Sequence, residues 1–460
     1  MRTAVGALLR RAVDVREEEV GAVGWSFVYF FLVLASYFVI RPVRDQMGVA
    51  SGANNLAWLF SGTLLGMLIL HPVFTWLVGR YPRRVFISWI YRVFILMLVA
   101  FFLLLKGADA VQTVWIGRVF FIWTSVFNLF VVSVFWSFMT DTYHPSQGKR
   151  LFGFIAVGGT VGALTGSSIT AALVGVLGPI NLLLVSALLL ELAGRSARAF
   201  ERHEVRLARV AAEEPEFEAE RTAVPESDTE EKQEEVIGGG LLDGVVHVLR
   251  SPYLLGLAAL IGLFAIVSTF LYFHLIAIVE EVMVGDDAGQ TRLFAVMEVA
   301  VQSLTLLTQV FLTGRILKWI GVGLALAFLP LVSMVGFGIL ATAPIIVVVV
   351  VFQVLRRASN FAIQRPAREV LYTVIPRADK YKAKNFNDTF VYRAADQVGA
   401  WSYTAMGWLG IGLSGLAFAM LPVSAVWLLL ALWLGRKYHA SGAASPQVPK
   451  AGEPLASGPV

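Results

Sequence analysis

The chain has 460 residues, 57% of them hydrophobic and only 15% charged, with a mean hydropathy of +0.72, a balance that excludes a soluble globule because too little polar surface exists to cover one. It contains no cysteine, so disulfides, thiolate metal sites, iron–sulfur clusters and cysteine nucleophiles are excluded, and its six histidines are too scattered to suggest a metal centre. The net charge of +5 and pI near 9.4 come from basic residues spread over short breaks, which fits contact with an anionic lipid leaflet better than with nucleic acid.

About twelve apolar runs follow one another, each near the roughly 20 residues that take a helix across a bilayer. The expected fold is therefore all-α and integral to a membrane, with twelve transmembrane helices in two six-helix halves. Residues 1–24 are charged and lack a small-residue cleavage site, which reads as a cytoplasmic amphipathic lead and not a removed signal peptide. The first span, 25–41, opens the N-terminal bundle of 25–193 and ends in "SYFVIRPVRDQMGV". That stretch places Arg41, Arg44 and Asp45 at its outer end, where the excess of positive charge on the cytoplasmic side disfavours arginine. Either an anion-accepting cavity holds these arginines, with Pro42 breaking the helix and turning them inward, or Arg44 and Asp45 form a pair at headgroup level.

Spans at 54–79 and 85–105 flank "GRYPRR", and the fourth, 113–139, begins near Arg118, whose long side chain can snorkel to the interface. The fifth, 152–176, carries Gly158, Gly162 and Gly166 at the spacing that lets helices approach closely; no Gly-Lys-Ser/Thr follows, so this is no phosphate loop. A sixth span at 178–193 leads into 194–250, a charged stretch poor in aromatics and ending in a glycine triplet, expected to be a cytoplasmic linker.

The C-terminal bundle, 251–436, begins with a span at 253–279. The eighth span, 293–314, sets Glu298, Gln302, Thr305 and Gln309 on one face, with Glu298 either a proton carrier or the partner of an arginine across the bundle. Spans at 318–341 and 343–364 follow, the second bearing Arg356, Asn360, Gln364 and Arg368 at successive i+4 positions, a polar stripe that cannot face lipid. Guanidinium forks match carboxylate or phosphate oxygens, so the stripe is a candidate anion-binding wall, and Pro366 can kink or end the helix below it. In the eleventh span, 386–410, Arg393 and Asp396 lie three apart and can pair with each other. The last span, 412–435, is followed by a disordered cytoplasmic tail, 437–460.

Lysine and arginine crowd the breaks after the second, fourth, eighth, tenth and twelfth spans, which puts both termini in the cytoplasm. Corresponding breaks recur at an offset of roughly 230 to 240 residues, as a parallel duplication of six-helix units would give. This architecture resembles the major facilitator superfamily, and "GRYPRR" resembles that superfamily's loop between helices two and three, with Gly79 standing in for the usual acidic residue and Pro82 for the usual glycine. "IRPVRDQMGV" and "FWSFMTDTYHPSQGKRLFGFIAVGGTVGA" are similar to stretches of the bacterial and plastid ATP/ADP translocase family, with Arg44 where a lysine is usual and Asp45 matching. The translocases' membrane carboxylates in the fourth and seventh spans have no counterpart in Ile122 to Ser137 or Gly262 to Val279.

The resemblance implies a secondary transporter and not an enzyme, working without a cofactor and functional as a monomer in a bacterial inner membrane. Its cargo would be a small anionic solute, with nucleotide exchange the favoured substrate, proton-coupled movement of another phosphorylated or carboxylated metabolite or a drug-like compound close behind, and a non-transporting sensor or scaffold the alternative of another class. Arg41, Arg44, Arg356, Arg368 and Arg393 would bind the anion, Asn360 and Gln364 would add hydrogen bonds, and Asp45, Glu298 or Asp396 would carry a proton or release the arginines when the site empties.

Overall fold

Each apolar run becomes a helix in the computed structural model, which describes residues 15–80, 83–201, 251–375, 383–384 and 386–443. In chain order the helices are α1 (Val20–Ala50), α2 (Leu56–Arg80), α3 (Arg83–Gly107), α4 (Ala110–Thr142), α5 (Pro145–Leu177) and α6 (Leu182–Glu201). After residue 250 come α7 (Pro252–Val282), α8 (Asp287–Phe311), α9 (Thr313–Thr342), α10 (Ile346–Ser359), α11 (Arg365–Leu371), α12 (Tyr392–Trp408) and α13 (Leu413–Ala443). A π turn, Asn360–Gln364, joins α10 to α11, so those two form one span, and a second π turn, Asn387–Val391, leads into α12. Ten of the described helical segments are long and apolar enough to cross a membrane. The segments outside the ten are α6, which carries Glu191, Arg195 and Arg198, and α12, short at 17 residues and holding Arg393 and Asp396.

The helices overrun the expected spans for local reasons. α6 continues past residue 193 because Glu191 pairs with Arg195 at 2.9 Å, one turn on, and lies 3.8 Å from Arg198. α4 starts sharply: the Asp109 carboxylate accepts from the Gln112 backbone N–H at 2.8 Å, and the Gln112 side chain accepts from the Asp109 N–H in return. Most of the lead, the linker from 202 to 250 and the tail from 444 lie outside the described residues.

Buried apolar side chains fall into two clusters. One is made from residues 15–200, and the other from residues 254–434 together with Val49, Leu56, Ala57, Leu59 and Phe121. The N-terminal helices thus enter the second core only around the turn between α1 and α2 and near the start of α4. Exposed tryptophans stand near both ends of the bundle, Trp58, Trp115 and Trp408 at one and Trp76, Trp89 and Trp319 at the other, as residues of a membrane interface do.

The α5 glycines do what their spacing predicts. A Cβ on Gly158, Gly162 or Gly166 would sit 2.6, 2.2 or 2.4 Å from the backbone oxygen of Phe27, Phe31 or Ala35 on α1. One turn further, the Thr170 hydroxyl donates to the Val39 carbonyl at 2.8 Å, keeping the same offset of 131 residues, so α1 and α5 run parallel in backbone contact. Gly162→Ala must push the two helices apart and is expected to cost about 1–3 kcal/mol. Gly175→Ala, with nothing within 4 Å of its Cβ, should be neutral. Thermal unfolding of the two variants in one detergent checks the difference.

Candidate transport site

α1 does not break at Pro42. Proline removes one backbone N–H and crowds the preceding turn, but Pro42 is buried and α1 runs on through it to Ala50. Neighbouring helices hold a membrane helix together across such a residue. Arg41 and Arg44 therefore project from the interior of a continuous helix and not from its end.

Arg41 reaches across to α8, where its guanidinium is 3.3 Å from Glu298. Glu298 is also gripped by both terminal nitrogens of Arg357 on α10, with Nη2 to Oε2 at 3.0 Å. Its side chain is 3% exposed, so this is a buried Arg–Glu–Arg cluster spanning three helices. Of the alternatives open for Glu298, the geometry provides the cross-bundle arginine. Arg357 escapes an i+4 reading of α10 because it lies one residue past Arg356, about 100° around the helix. The signal that could have found it is the Arg356–Arg357 doublet in an apolar helix, facing a span with a single buried carboxylate.

Arg44 occupies a different environment. Its guanidinium lies over the Phe121 ring at 4.2 Å, and Asp45 is 3.8 Å away, with an oxygen that already accepts from the Tyr272 hydroxyl at 2.9 Å. On α12, Arg393 approaches Asp396 at 3.5 Å, and Thr269 donates to the same carboxylate at 3.1 Å. Arg44, Arg393 and Asp396 meet around one cavity of about 170 Å³, walled also by Tyr37, Phe60 and Phe121. It opens between α1, α2 and α4 on one side and α12 on the other.

The α10 stripe is not part of that wall. Asn360 and Gln364 are buried at the two ends of the π turn, whose wider winding interrupts the i+4 register and rotates the residues beyond it. Arg356, 4% exposed, donates to Ser268 Oγ at 2.6 Å, whereas Arg368 pairs with Asp388 at 3.4 Å on the second π turn. Pro366 lies in the first turn of α11, just after the π turn, so it neither ends the span nor interrupts an α-helix interior. On α8, Gln302 and Thr305 are buried beside Glu298, and Gln309 donates to the Phe361 carbonyl at 3.2 Å. Arg118 rests over Trp115 at 4.5 Å. The predicted residues thus separate into a cavity group (Arg44, Arg393, Asp396), a buried ion cluster (Arg41, Glu298) and a helix-packing group (Arg356, Asn360, Gln364, Arg368), with Asp45 beside the first.

Hydrogen bonds between the N-terminal and C-terminal helices concentrate at the end carrying the 51–55 and 283–286 turns. Gln46 donates to Asp287 at 2.8 Å, the Ala53 N–H to Glu280 at 2.8 Å, and Ser61 to Gln397 at 2.8 Å. Trp401 Nε1 donates to Ser61 at 3.1 Å and its ring meets Trp58 edge-on at 4.8 Å. Removing both carboxylates as Glu280→Gln/Asp287→Asn should loosen this end, since each lost charged hydrogen bond weakens closure by roughly 1 kcal/mol. A Ser61→Cys thiol in that background should react about thirtyfold faster with a water-soluble maleimide.

A sequence profile of the Major Facilitator Superfamily matches residues 23–364. The chain belongs to this superfamily. As a member it is an integral membrane protein and a secondary transporter of the major facilitator kind, not an enzyme in the usual sense. No curated protein matches the chain. Among solved structures it is similar to the xylose transporter XylE from E. coli in an inward-open conformation, at 14% identity and TM-score 0.56, over 90% of this chain and 94% of that one. It is also similar to a bacterial homologue of the iron transporter ferroportin in an inward-facing state, at 13% identity and TM-score 0.57, over 92% and 98%. A third is a bacterial homologue of the human lysosomal transporter Spinster, inward-facing and unoccupied, at 14% identity and TM-score 0.52, over 93% and 98%. At such identities the likeness concerns the fold alone. The profile match is to the superfamily as a whole and does not extend to the nucleotide translocases.

Proposed function

We propose that the protein moves an anionic organic solute by alternating access, rocking α1–α6 against α7–α13 about the cavity between them. In this reading α6 and α12 complete twelve spans in two six-helix halves, both termini lie in the cytoplasm of a bacterial inner membrane, and one copy of the chain suffices. The observation that carries it is Arg44: it borders a cavity shared by both sets of helices, and the carboxylate nearest to it stands at 3.8 Å and is engaged by Tyr272. A guanidinium held on an aromatic ring, with donors left over, is suited to an anion that arrives and leaves. Asp396 faces the same cavity through its pair with Arg393 and would take up a proton or release that arginine as the solute binds, which makes proton coupling the natural companion of anion transport here.

Nucleotide exchange is the narrower form of this proposal, drawn from the resemblance of the first and fifth spans. A ligand that binds only the folded state raises its melting temperature. The purified protein is therefore to be melted against nucleotides, sugar phosphates, carboxylates and uncharged analogues. Stabilisation confined to one anion class, followed by uptake of that class into liposomes, supports the proposal. Stabilisation by neutral or cationic compounds alone would overturn it, and binding without flux would point to a sensor.

A further inference from the structure

The cavity's size, wall and charge narrow the cargo beyond the word anion. Its volume is about 170 Å³, close to the roughly 150 Å³ of an engineered protein cavity that encloses one benzene molecule. A nucleoside triphosphate, with a fused ring, a sugar and three phosphates, would extend well beyond that space through its open side. Beside Leu64 and Met67 the wall carries three aromatic rings: Phe60 and Phe121 lie with ring centroids 6.5 Å apart, and Tyr37 stands with them around the opening. Such a wall favours a flat ring, which gains from aromatic contact as well as from burial. Of the charged groups at the cavity, Arg393 is already opposite Asp396, whereas Arg44 has Asp45 at 3.8 Å, an oxygen that Tyr272 already engages, so Arg44 keeps donors for a solute carboxylate. Arg44 lies over Phe121 at 4.2 Å, and its Nε is buried without a hydrogen-bond partner. Ser125 and Asn128, one turn apart on α4, together with Gln397, add polar groups for a neutral substituent.

Building on the anion-transport reading, we infer that the solute is a small organic monoanion with a single aromatic ring, of the class of benzoate and its hydroxylated derivatives, held by its carboxylate on Arg44 and with its ring against Phe60 and Tyr37. This departs from the nucleotide cargo. Ring and charge are both required, because neither the aromatic side chains nor the spare donors of Arg44 are satisfied by the other's ligand.

The test is direct binding to the purified full-length protein, by calorimetry, of benzoate, 4-hydroxybenzoate, benzamide, acetate and ADP. Benzoate and 4-hydroxybenzoate are expected to bind at least about tenfold more tightly than acetate, which lacks the ring, and than benzamide, which lacks the charge. Arg44→Lys keeps the charge but loses the planar fork and should weaken benzoate about tenfold. Phe60→Leu should reduce the preference for benzoate over acetate and leave acetate unchanged. The ligand series on the unaltered protein decides the matter even if a variant folds poorly. Tighter binding of ADP than of benzoate, or equal binding of benzoate and acetate, overturns the ring-monoanion assignment and leaves the anion reading standing. Binding of benzamide without benzoate overturns both.

Discussion

Glu298→Gln should destabilise the protein by about 3–5 kcal/mol, the loss expected when one partner of a buried ion cluster is removed and the other charges stay behind. Glu298 is the carboxylate on which Arg41 and Arg357 both converge, at 3.3 Å from the first and by a two-pronged contact with the second, and its side chain is 3% exposed. Glutamine keeps the shape and one acceptor oxygen but leaves two guanidinium groups facing each other in a low-dielectric interior. Arg357→Gln should cost less, because Arg41 still neutralises the carboxylate. The pair of substitutions combined should be milder than the sum of the two, since contacting residues couple. Equilibrium unfolding in a mixed-micelle denaturant series reads all three values. A loss under about 1 kcal/mol for Glu298→Gln would mean that water or a repacked side chain replaces the cluster.

Arg44→Gln should have the opposite profile, with a large effect on transport and a small one on stability. Its carboxylate neighbour Asp45 keeps the Tyr272 hydroxyl at 2.9 Å, and the cation removed stands 3.8 Å from it, beyond hydrogen-bond reach, so the cost falls below that of breaking the Glu298 cluster. A solute carboxylate, by contrast, loses charge-assisted hydrogen bonds of about 1.5–3 kcal/mol, which corresponds to roughly a ten- to hundredfold rise in KM for uptake. The same substitution at Arg356 tests the contrast. Arg356 is buried against Ser268 and does not border the cavity, so its loss should lower stability and leave KM within about twofold, because only transition-state or ground-state contacts with solute move that constant.

The membrane class and the placing of the helices could be read in the sequence because apolar run length and loop charge are local properties. Helix ends were less legible: α1 overruns its expected end since burial sustains it through Pro42, and α6 overruns its own on the Glu191 pairs. The glycine ladder was legible because a small residue every fourth position has one dominant use. The site was legible only in its ingredients. Arg44, Arg393 and Asp396 meet because α12 packs against α2, a long-range contact that no spacing encodes. The stripe of Arg356, Asn360, Gln364 and Arg368 assumes uniform α-helical winding, and the π turn at Asn360–Gln364 removes that assumption. Arg357 was hidden for the same reason in reverse: the residue next to the stripe is the one that faces Glu298.

The central claim is that the two sets of helices open and close around the cavity. The chain has no native cysteine, so a Ser61→Cys/Gln397→Cys variant carries its only two thiols where the native side chains share a 2.8 Å hydrogen bond across the closed end. Uptake of the best-binding anion into proteoliposomes is to be measured before and after joining these thiols with a short reducible cross-linker. Alternating access predicts that the cross-link stops uptake and that a reductant restores it. Uptake at an unchanged rate in fully cross-linked protein would contradict the account.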